Sequence, residues 1–339
     1  MKTLAFFNNK GGVGKTTLVY HVAWMLHELG VNVVAVDLDP QSNLTTAFLS
    51  EDGLERIWPE GAHPDSILGV IEPLLNRLGD ANEPHVEAIT DHLGLVAGDL
   101  GLSMFEDRLA DSWAKCLDDN LANAGDAFRV ITAFYRTMKR AADVCGASLV
   151  LIDVGPNLGV INRAALVAAD HVVVPLGADI FSLQGLRNLG PTLRKWRTGW
   201  DARRRLADDP NVPLPSGQMK PIGYVVMQPA LRSGHPARAY QTWINRIPDV
   251  YSSAVLDIRG VHLTPTDDPH RLATLKHYRS LVPLAQDAQK PIFSLRPADG
   301  AIGGHAKAVQ LCYSDFKALT VNLLEKCGMP IPRSQSATA

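Results

Sequence analysis

Glycines, two lysines and two threonines are concentrated at residues 9–17, which read Asn-Lys-Gly-Gly-Val-Gly-Lys-Thr-Thr. An apolar run at 3–7 precedes this segment and apolar residues at helical spacing follow it, which predicts a strand, a loop and a helix. In such a loop, backbone N–H groups turn toward phosphate oxygens, and the helix N-terminus adds the positive end of its dipole. The segment predicts a phosphate-binding loop, with nucleotide contacts expected from Gly11, Gly12, Val13, Gly14, Lys15, Thr16 and Thr17.

Two side chains of this loop have distinct expected roles. Lys15 is expected to reach the β- and γ-phosphates, and the Thr16 hydroxyl is expected to bind Mg²⁺. The common pattern G-x-x-x-x-G-K-[ST] has glycine where this chain has Asn9. A second lysine, Lys10, stands just before the double glycine. Together these features define a deviant Walker A motif.

Three aspartates follow predicted buried strands. Asp37 and Asp39 come directly after the β-branched run 31–36, and Asp153 ends the apolar segment 149–152 as in a Walker B strand. Ligands bind at the carboxyl ends of the strands in open α/β sheets. Asp153 is therefore expected to bind Mg²⁺ through water. The first pair of acids belongs either to the same site or to a solvated turn.

With these motifs the sequence resembles the ParA/MinD family of partitioning and positioning ATPases, and ParA more closely than MinD. The strong matches are at 8–17, 36–43 and 149–153, and weaker ones are at 168–175, 182–186, 290–293 and 300–301. The chain departs from the family at 154–157, where Val-Gly-Pro-Asn replaces T-P-P-S. The resemblance implies ATP and Mg²⁺ as cofactors, and slow hydrolysis of ATP to ADP and phosphate.

The resemblance also implies roles for single residues. In the family, the lysine matching Lys10 crosses a dimer interface and contacts the partner's phosphates, as an arginine finger does. Asp39 would orient or activate the attacking water, and Asp37 would support the magnesium shell. The expected catalytic residues are thus Lys10, Lys15 and Asp39, acting in a homodimer formed through bound ATP.

The resemblance further implies a ParB-like or other stimulating protein partner, and nonspecific binding of DNA. A basic stretch with two tryptophans supports the DNA prediction, although it also fits a solvated helix face. The candidate DNA-binding residues are Arg194, Lys195, Arg197, Arg203, Arg204 and Arg205, together with Arg232 and Arg279 at family positions. Membrane binding is not expected, because the C-terminal segment lacks a basic amphipathic stripe.

Two other functional classes are considered. An iron–sulfur reductase of the nitrogenase iron-protein type shares the deviant loop but needs interface cysteines, and Cys116 and Cys145 are not in recognisable ligand contexts. A regulatory ATPase could instead use the same switch on a protein, in secretion, conjugation, polarity or phage defence. ATP-dependent DNA binding would distinguish a partition ATPase from this alternative.

Strands alternating with helices predict a doubly wound, mostly parallel sheet with helices on both faces. Helices are expected near 66–78, 103–121, 128–144, 183–196 and 306–326, and strands near 92–96, 148–153, 171–175 and 221–227. We expect one P-loop NTPase domain over 1–330, with helical insertions near 50–125 and 233–277 and a flexible tail at 331–339.

Composition limits the functional classes. The 339 residues carry a formal net charge of −2, so a DNA contact would need a local basic patch. Four cysteines lie far apart without a C-x-x-C pair, which favours reduced thiols over a zinc site. The N-terminal segment lacks the apolar core of a signal peptide, so we expect a cytoplasmic protein, associated with the nucleoid if it binds DNA.

Overall fold

One twisted sheet organises the chain in the computed structural model, which describes residues 1–207, 209–227, 238–260, 262–276, 278 and 280–331. Across the described residues the sheet has eight strands in the order β3-β4-β2-β5-β1-β6-β7-β8. All neighbouring pairs are parallel except β3 and β4. The strands are β1 Lys2–Phe6, β2 Val33–Leu38, β3 Glu87–Thr90, β4 Leu93–Val96, β5 Leu149–Val154, β6 His171–Gly177, β7 Lys220–Met227 and β8 Arg271–Leu275.

Helices cover both faces of this sheet, as the alternating pattern predicts. They are α1 Lys15–Glu28, α2 Asn43–Phe48, α3 Glu51–Ile57, α4 Ile67–Leu75, α5 Glu106–Lys115, α6 Leu121–Ile131, α7 Ala133–Cys145, α8 Val160–Val167, α9 Ile180–Arg204, α10 Arg238–Val250, α11 Val282–Asp287 and α12 Gly304–Lys326. Short 3-10 helices form at Leu100–Phe105, Ile292–Ser294 and Pro297–Asp299, and a π-helix forms at Tyr251–Val255.

The central strands are apolar along their whole length because they are covered on both sides. All residues of β2 and β5 are buried. One apolar cluster packs α1, α11 and α12 against one face, and a second packs α4 to α10 against the other. Continuous β-branched runs suit strands covered on both faces, so the predicted doubly wound fold is confirmed.

The structure differs from the predicted elements in three places. The helix expected at 128–144 is two helices separated at Thr132, whose hydroxyl donates a 2.7 Å hydrogen bond to the Phe128 carbonyl. The helix expected at 103–121 begins as a 3-10 helix and ends at Lys115. Strands β3 and β8 were not predicted, and β8 lies inside the expected insertion at 233–277, where it extends the sheet.

The ends of the chain complete the description. Helix α12 matches the prediction closely and packs against α1 and β8. Among the described residues, every helix is too short or too polar to cross a membrane. The expected flexible tail lies mostly outside the described residues, which end at 331.

Candidate nucleotide-binding site

The glycine-rich loop joins the end of β1 to the start of α1 at the carboxyl edge of the sheet. Gly12 and Gly14 have φ values of 70° and 82°, a left-handed conformation that favours glycine. A Cβ at Gly14 would also lie 3.0 Å from the Cε atom of Met227, at the end of β7. Such a backbone conformation is compatible with N–H groups that turn toward a phosphate, and the predicted contacts remain a prediction.

Lys15 lies inside this loop and is only 7% exposed. Burial lowers the pKa of its ammonium, whereas the nearby carboxylates of Asp153 and Asp39 raise it. A desolvated ammonium without a phosphate partner is unfavourable, and an incoming polyphosphate would supply the missing negative charge.

Asp153 is the most perturbed acid at this edge. It is fully buried, and its register partners are Phe6 of β1 and Asp37 of β2. Neither carboxylate oxygen has a well-formed hydrogen bond to another described residue. Burial and then the negative charge of Asp37 raise the pKa of Asp153 to about 8, with Thr16 and Lys15 opposing the shift.

Two buried oxygens without partners are the arrangement that a cation would satisfy. Thr16 is half-buried at the first turn of α1, on the same edge of the sheet. Among the described residues, no cluster of three or more His, Cys, Asp or Glu side chains could hold a metal unaided. Mg²⁺ in such sites is completed by phosphate oxygens and water, so Thr16 and Asp153 fit a magnesium ion that arrives with a nucleotide.

Asp37 is engaged in a network that the sequence did not suggest. One of its oxygens accepts hydrogen bonds from the backbone N–H and the hydroxyl of Thr45, at 2.9 and 2.8 Å. The Thr45 hydroxyl in turn accepts from the N–H of Gly98, beyond β4. Asp37 therefore fixes the start of α2 to the sheet, and its predicted support of magnesium would act through Asp153, its neighbour across the strands.

Asp39 lies between the two loops that follow β2 and β5. It is 6% exposed, and one oxygen accepts a 3.0 Å hydrogen bond from the N–H of Gln41. A Cβ at Gly155 would lie 3.4 Å from that same oxygen. Asn162 holds the second loop by donating to the carbonyls of Gly155 and Asn157 at 2.8 and 2.7 Å. The predicted water-orienting acid thus faces the loop where this chain departs from the family.

Lys10 is at the outer side of the loop. Its backbone N–H donates to the Asn8 side chain at 3.0 Å, and Asn8 donates to the Pro175 carbonyl. Its ammonium forms a 2.5 Å ion pair with Asp179, the N-cap residue of α9. The Lys10 side chain is therefore partly accessible to solvent but is paired within its own chain.

The predicted basic surface on α9 is only partly exposed. Arg203 is 8% exposed, its guanidinium donates to the carbonyls of Trp113 and Gly199, and it stacks 4.0 Å from the Trp113 ring. The prediction that Arg203 faces DNA is therefore wrong, since this side chain ties α9 to α5. Arg194 and Arg197 are half-buried and donate to backbone carbonyls.

The exposed members of the basic group are Lys195, Arg204 and Arg205. Arg204 ends α9, a helix of 25 residues, so at ~1.5 Å per residue it lies about 36 Å from the nucleotide edge where the helix starts. Arg232 and Arg279 lie outside the described residues.

The two cysteines considered for an iron–sulfur cluster are not presented at the site. Cys116 is 1% exposed within an apolar cluster, where burial raises the pKa of its thiol to about 12. Cys145 lies at the end of α7 and is partly buried. A buried, protonated thiol is a poor cluster ligand, so the iron–sulfur alternative has no structural support at either residue.

Three residues that organise the site were missed from the sequence: Thr45, Asn162 and Asp179. Asp179 precedes Ser182 by three positions, and its carboxylate accepts from the Ser182 N–H at 2.9 Å, so an N-cap pattern could have revealed it. Thr45 and Asn162 carry no such local signal, because their partners are distant in sequence or in a loop.

Comparisons with known proteins agree with this geometry. A family model described as an AAA domain matches residues 1–203. The chain is 32% identical to protein IncC of Escherichia coli over 197 residues, 58% of this chain and 47% of IncC. It is 31% identical to the chromosome-partitioning ATPase Soj of Thermus thermophilus over 208 residues, 61% of this chain and 67% of Soj.

The matched segments thus span about half to two thirds of these relatives. Among solved structures, Cyanothece McdA in complex with ATP has a TM-score of 0.61 at 16% identity and covers 97% of both chains, which concerns the fold alone. The deviant loop, the acids at the carboxyl edge and the family match lead to one conclusion: the chain belongs to the ParA-type family of P-loop ATPases.

Proposed function

We propose that this protein is a Mg²⁺-dependent ATPase that dimerises around bound ATP and hydrolyses it slowly. The observation that carries the proposal is the convergence of Lys15, Asp39 and Asp153 on the glycine loop, where the buried Asp153 carboxylate lacks a well-formed hydrogen bond. The names of two similar proteins support the nucleotide, since Soj is described as an ATPase and McdA was solved with ATP.

The residues divide the chemistry among them. Lys15 and the loop N–H groups would bind the phosphates, and Asp39 would orient water for attack on the γ-phosphate. Magnesium, held through Thr16 and Asp153, would neutralise charge on the phosphate oxygens. The partner subunit's Lys10 would place a cation beside the phosphates, where negative charge builds in the transition state. Hydrolysis would therefore require the dimer.

Partitioning of DNA is the proposed biological role, because relatives named for chromosome partitioning are among those that match. The contact surface would be the exposed cations Lys195, Arg204 and Arg205, with Arg232 and Arg279 as family-derived candidates. Phosphate contacts of this kind give sequence-independent, salt-sensitive binding.

A switch that acts on a protein partner is the second candidate function. It is favoured by the internal engagement of Arg194, Arg197 and Arg203, which leaves a smaller basic surface than the sequence suggests. A ParB-like or other protein that stimulates hydrolysis fits both roles. Binding of duplex DNA at low salt with ATP and Mg²⁺ would favour partitioning, and its absence would favour the protein-directed switch.

Substitution of the two loop lysines tests the enzymatic proposal. Lys15→Ala removes a charged hydrogen-bond donor from the phosphate site, so ATP affinity should fall about 10- to 100-fold in a fluorescent-nucleotide titration. Lys10→Ala should bind ATP as the parent does, yet lose hydrolysis by on the order of a thousandfold. Lys317→Ala, at a partly exposed lysine of α12, is a matched control that should change neither value. Hydrolysis at the parent rate by Lys10→Ala would contradict the cross-subunit role.

A further inference from the structure

The two oxygens of the Asp179 carboxylate accept hydrogen bonds from different donors. One oxygen of Asp179 accepts from the Ser182 N–H at 2.9 Å and so caps α9. The other oxygen accepts from the Lys10 ammonium at 2.5 Å. Burial alone would raise the pKa of this carboxyl, but the bonds from Lys10 and Ser182 outweigh it and the pKa is lowered.

The carboxylate is held rigidly at the end of β6. The Ser182 hydroxyl accepts from the N–H of Gly177, which closes the turn between β6 and α9. A Cβ at Gly177 would lie 2.8 Å from the oxygen that binds Lys10, so only a glycine leaves room for the carboxylate there. The bond from the Ser182 N–H would keep Asp179 at the start of α9 if the Lys10 side chain extended away from its own subunit.

The Lys10 side chain is only partly covered. It is 32% exposed, and its ammonium lies 5.9 Å from the ring of Phe181, which is 71% exposed. Only its backbone is fixed, through the bond to Asn8. The ammonium is thus a partly exposed group paired with one acid that is itself held by the turn after β6.

We propose that Asp179 is a positioning residue that retains Lys10 in its own subunit, and that dimerisation must break this pair before Lys10 reaches the partner's nucleotide. The inference rests on the proposed role of Lys10 across the dimer. It adds a free-energy cost to that role. In the monomer Lys10 is held in an ion pair with Asp179, and on dimerisation it exchanges this carboxylate for the phosphates bound by the partner subunit. In a two-fold dimer two such pairs are broken at once.

The test is Asp179→Asn. The Asn side-chain oxygen can still cap α9, since Asn is as good an N-cap as Asp, but its NH₂ group cannot accept from an ammonium. Dimerisation is measured by sedimentation velocity with AMPPNP and Mg²⁺ over a range of protein concentrations. The dimer dissociation constant should fall about 2- to 30-fold, the range for two partly exposed ion pairs.

Three further variants make the result specific. Asp179→Glu keeps the charge and should return most of the parent value. The pair Lys10→Ala and Lys10→Ala/Asp179→Asn should have equal dissociation constants, because the effect of Asp179 acts through Lys10. Asp209→Asn breaks another partly exposed ion pair, with Arg129 at 3.4 Å, and is the control for a general charge effect.

The outcomes separate the two proposals. If the parent dimerises and the Asp179→Asn variant dimerises equally well or less well, the inference is overturned and the proposed function stands. A weaker dimer in particular would mean that Asp179 aims Lys10 at the partner instead of retaining it. If parent and variant both remain monomeric at all concentrations, both proposals fail. Tighter dimerisation of the variant, abolished by Lys10→Ala, supports the inference.

Discussion

A buried histidine joins the phosphate loop to the C-terminal part of the chain, and its environment makes a quantitative prediction about pH. His21, in α1, is 5% exposed and stacks on Phe316 with ring centres 4.8 Å apart. Its Nε2 accepts from the backbone N–H of Ile292 at 3.2 Å, and its Nδ1 lies 2.8 Å from the Thr17 carbonyl. A backbone N–H only donates, so the neutral ring carries its proton on Nδ1 and donates it to Thr17.

Protonation of Nε2 would place two N–H donors opposite each other, one on the ring and one on Ile292, and would bury a positive charge. Burial accordingly lowers the pKa of His21 to about 4, with the Thr17 carbonyl opposing the shift. In the unfolded chain the pKa is near 6.5, so the unfolded state binds more protons between these values. The native state should therefore lose about 2 kcal/mol of stability by pH 5 and about 3 kcal/mol by pH 4 through this one residue.

The variant His21→Gln removes the titration, because glutamine binds no proton in this range. Urea unfolding of parent and variant without nucleotide, at intervals from about pH 7.5 to 5, gives the difference in free energy of unfolding. That difference should shrink by about 2 kcal/mol as the pH falls. His262→Gln, whose parent side chain is 89% exposed, should leave the pH dependence unchanged. Parallel curves for parent and His21→Gln would refute the assignment.

Three further outcomes are expected. Asp39→Ala should bind ATP, lose hydrolysis and accumulate as a dimer in light scattering, and a monomer or a parent-like rate would contradict its role. Reversing charge at Lys195, Arg204 and Arg205 should weaken duplex binding in fluorescence anisotropy and flatten its salt dependence, and unchanged affinity would exclude this surface. Arg203→Ala should instead lower the free energy of unfolding by about 1–3 kcal/mol, because two carbonyls and the Trp113 ring lose their partner.

Patterns among neighbouring residues were sufficient to predict the central strands of the sheet and the glycine-rich loop. Strand runs such as 149–153, and the glycine spacing around Lys15, depend on neighbours in sequence, so they could be predicted without coordinates. Sequence patterns left open whether Asp37 joins the site, and the resemblance implied that it supports the magnesium shell; the register places it directly opposite Asp153.

Longer-range features could not be predicted in this way. Strand β8 has no apolar run and is defined by its pairing with β7. Arg203 looks like a surface cation in the sequence, but its guanidinium donates to the carbonyl of Trp113, which is 90 positions away. The pairing of Lys10 with Asp179 joins residues 169 positions apart, so only the fold reveals it.

The central claim is that a complete catalytic site requires Lys10 from one subunit and Asp39 from the other, and a mixing experiment tests it most directly. Lys10→Ala retains Asp39, and Asp39→Ala retains Lys10, so each homodimer has two incomplete sites. Random pairing in an equal mixture makes about half of the dimers mixed, each with one complete site, which predicts about a quarter of the parent ATPase rate. A mixture no faster than the average of the two variants assayed alone would contradict the account.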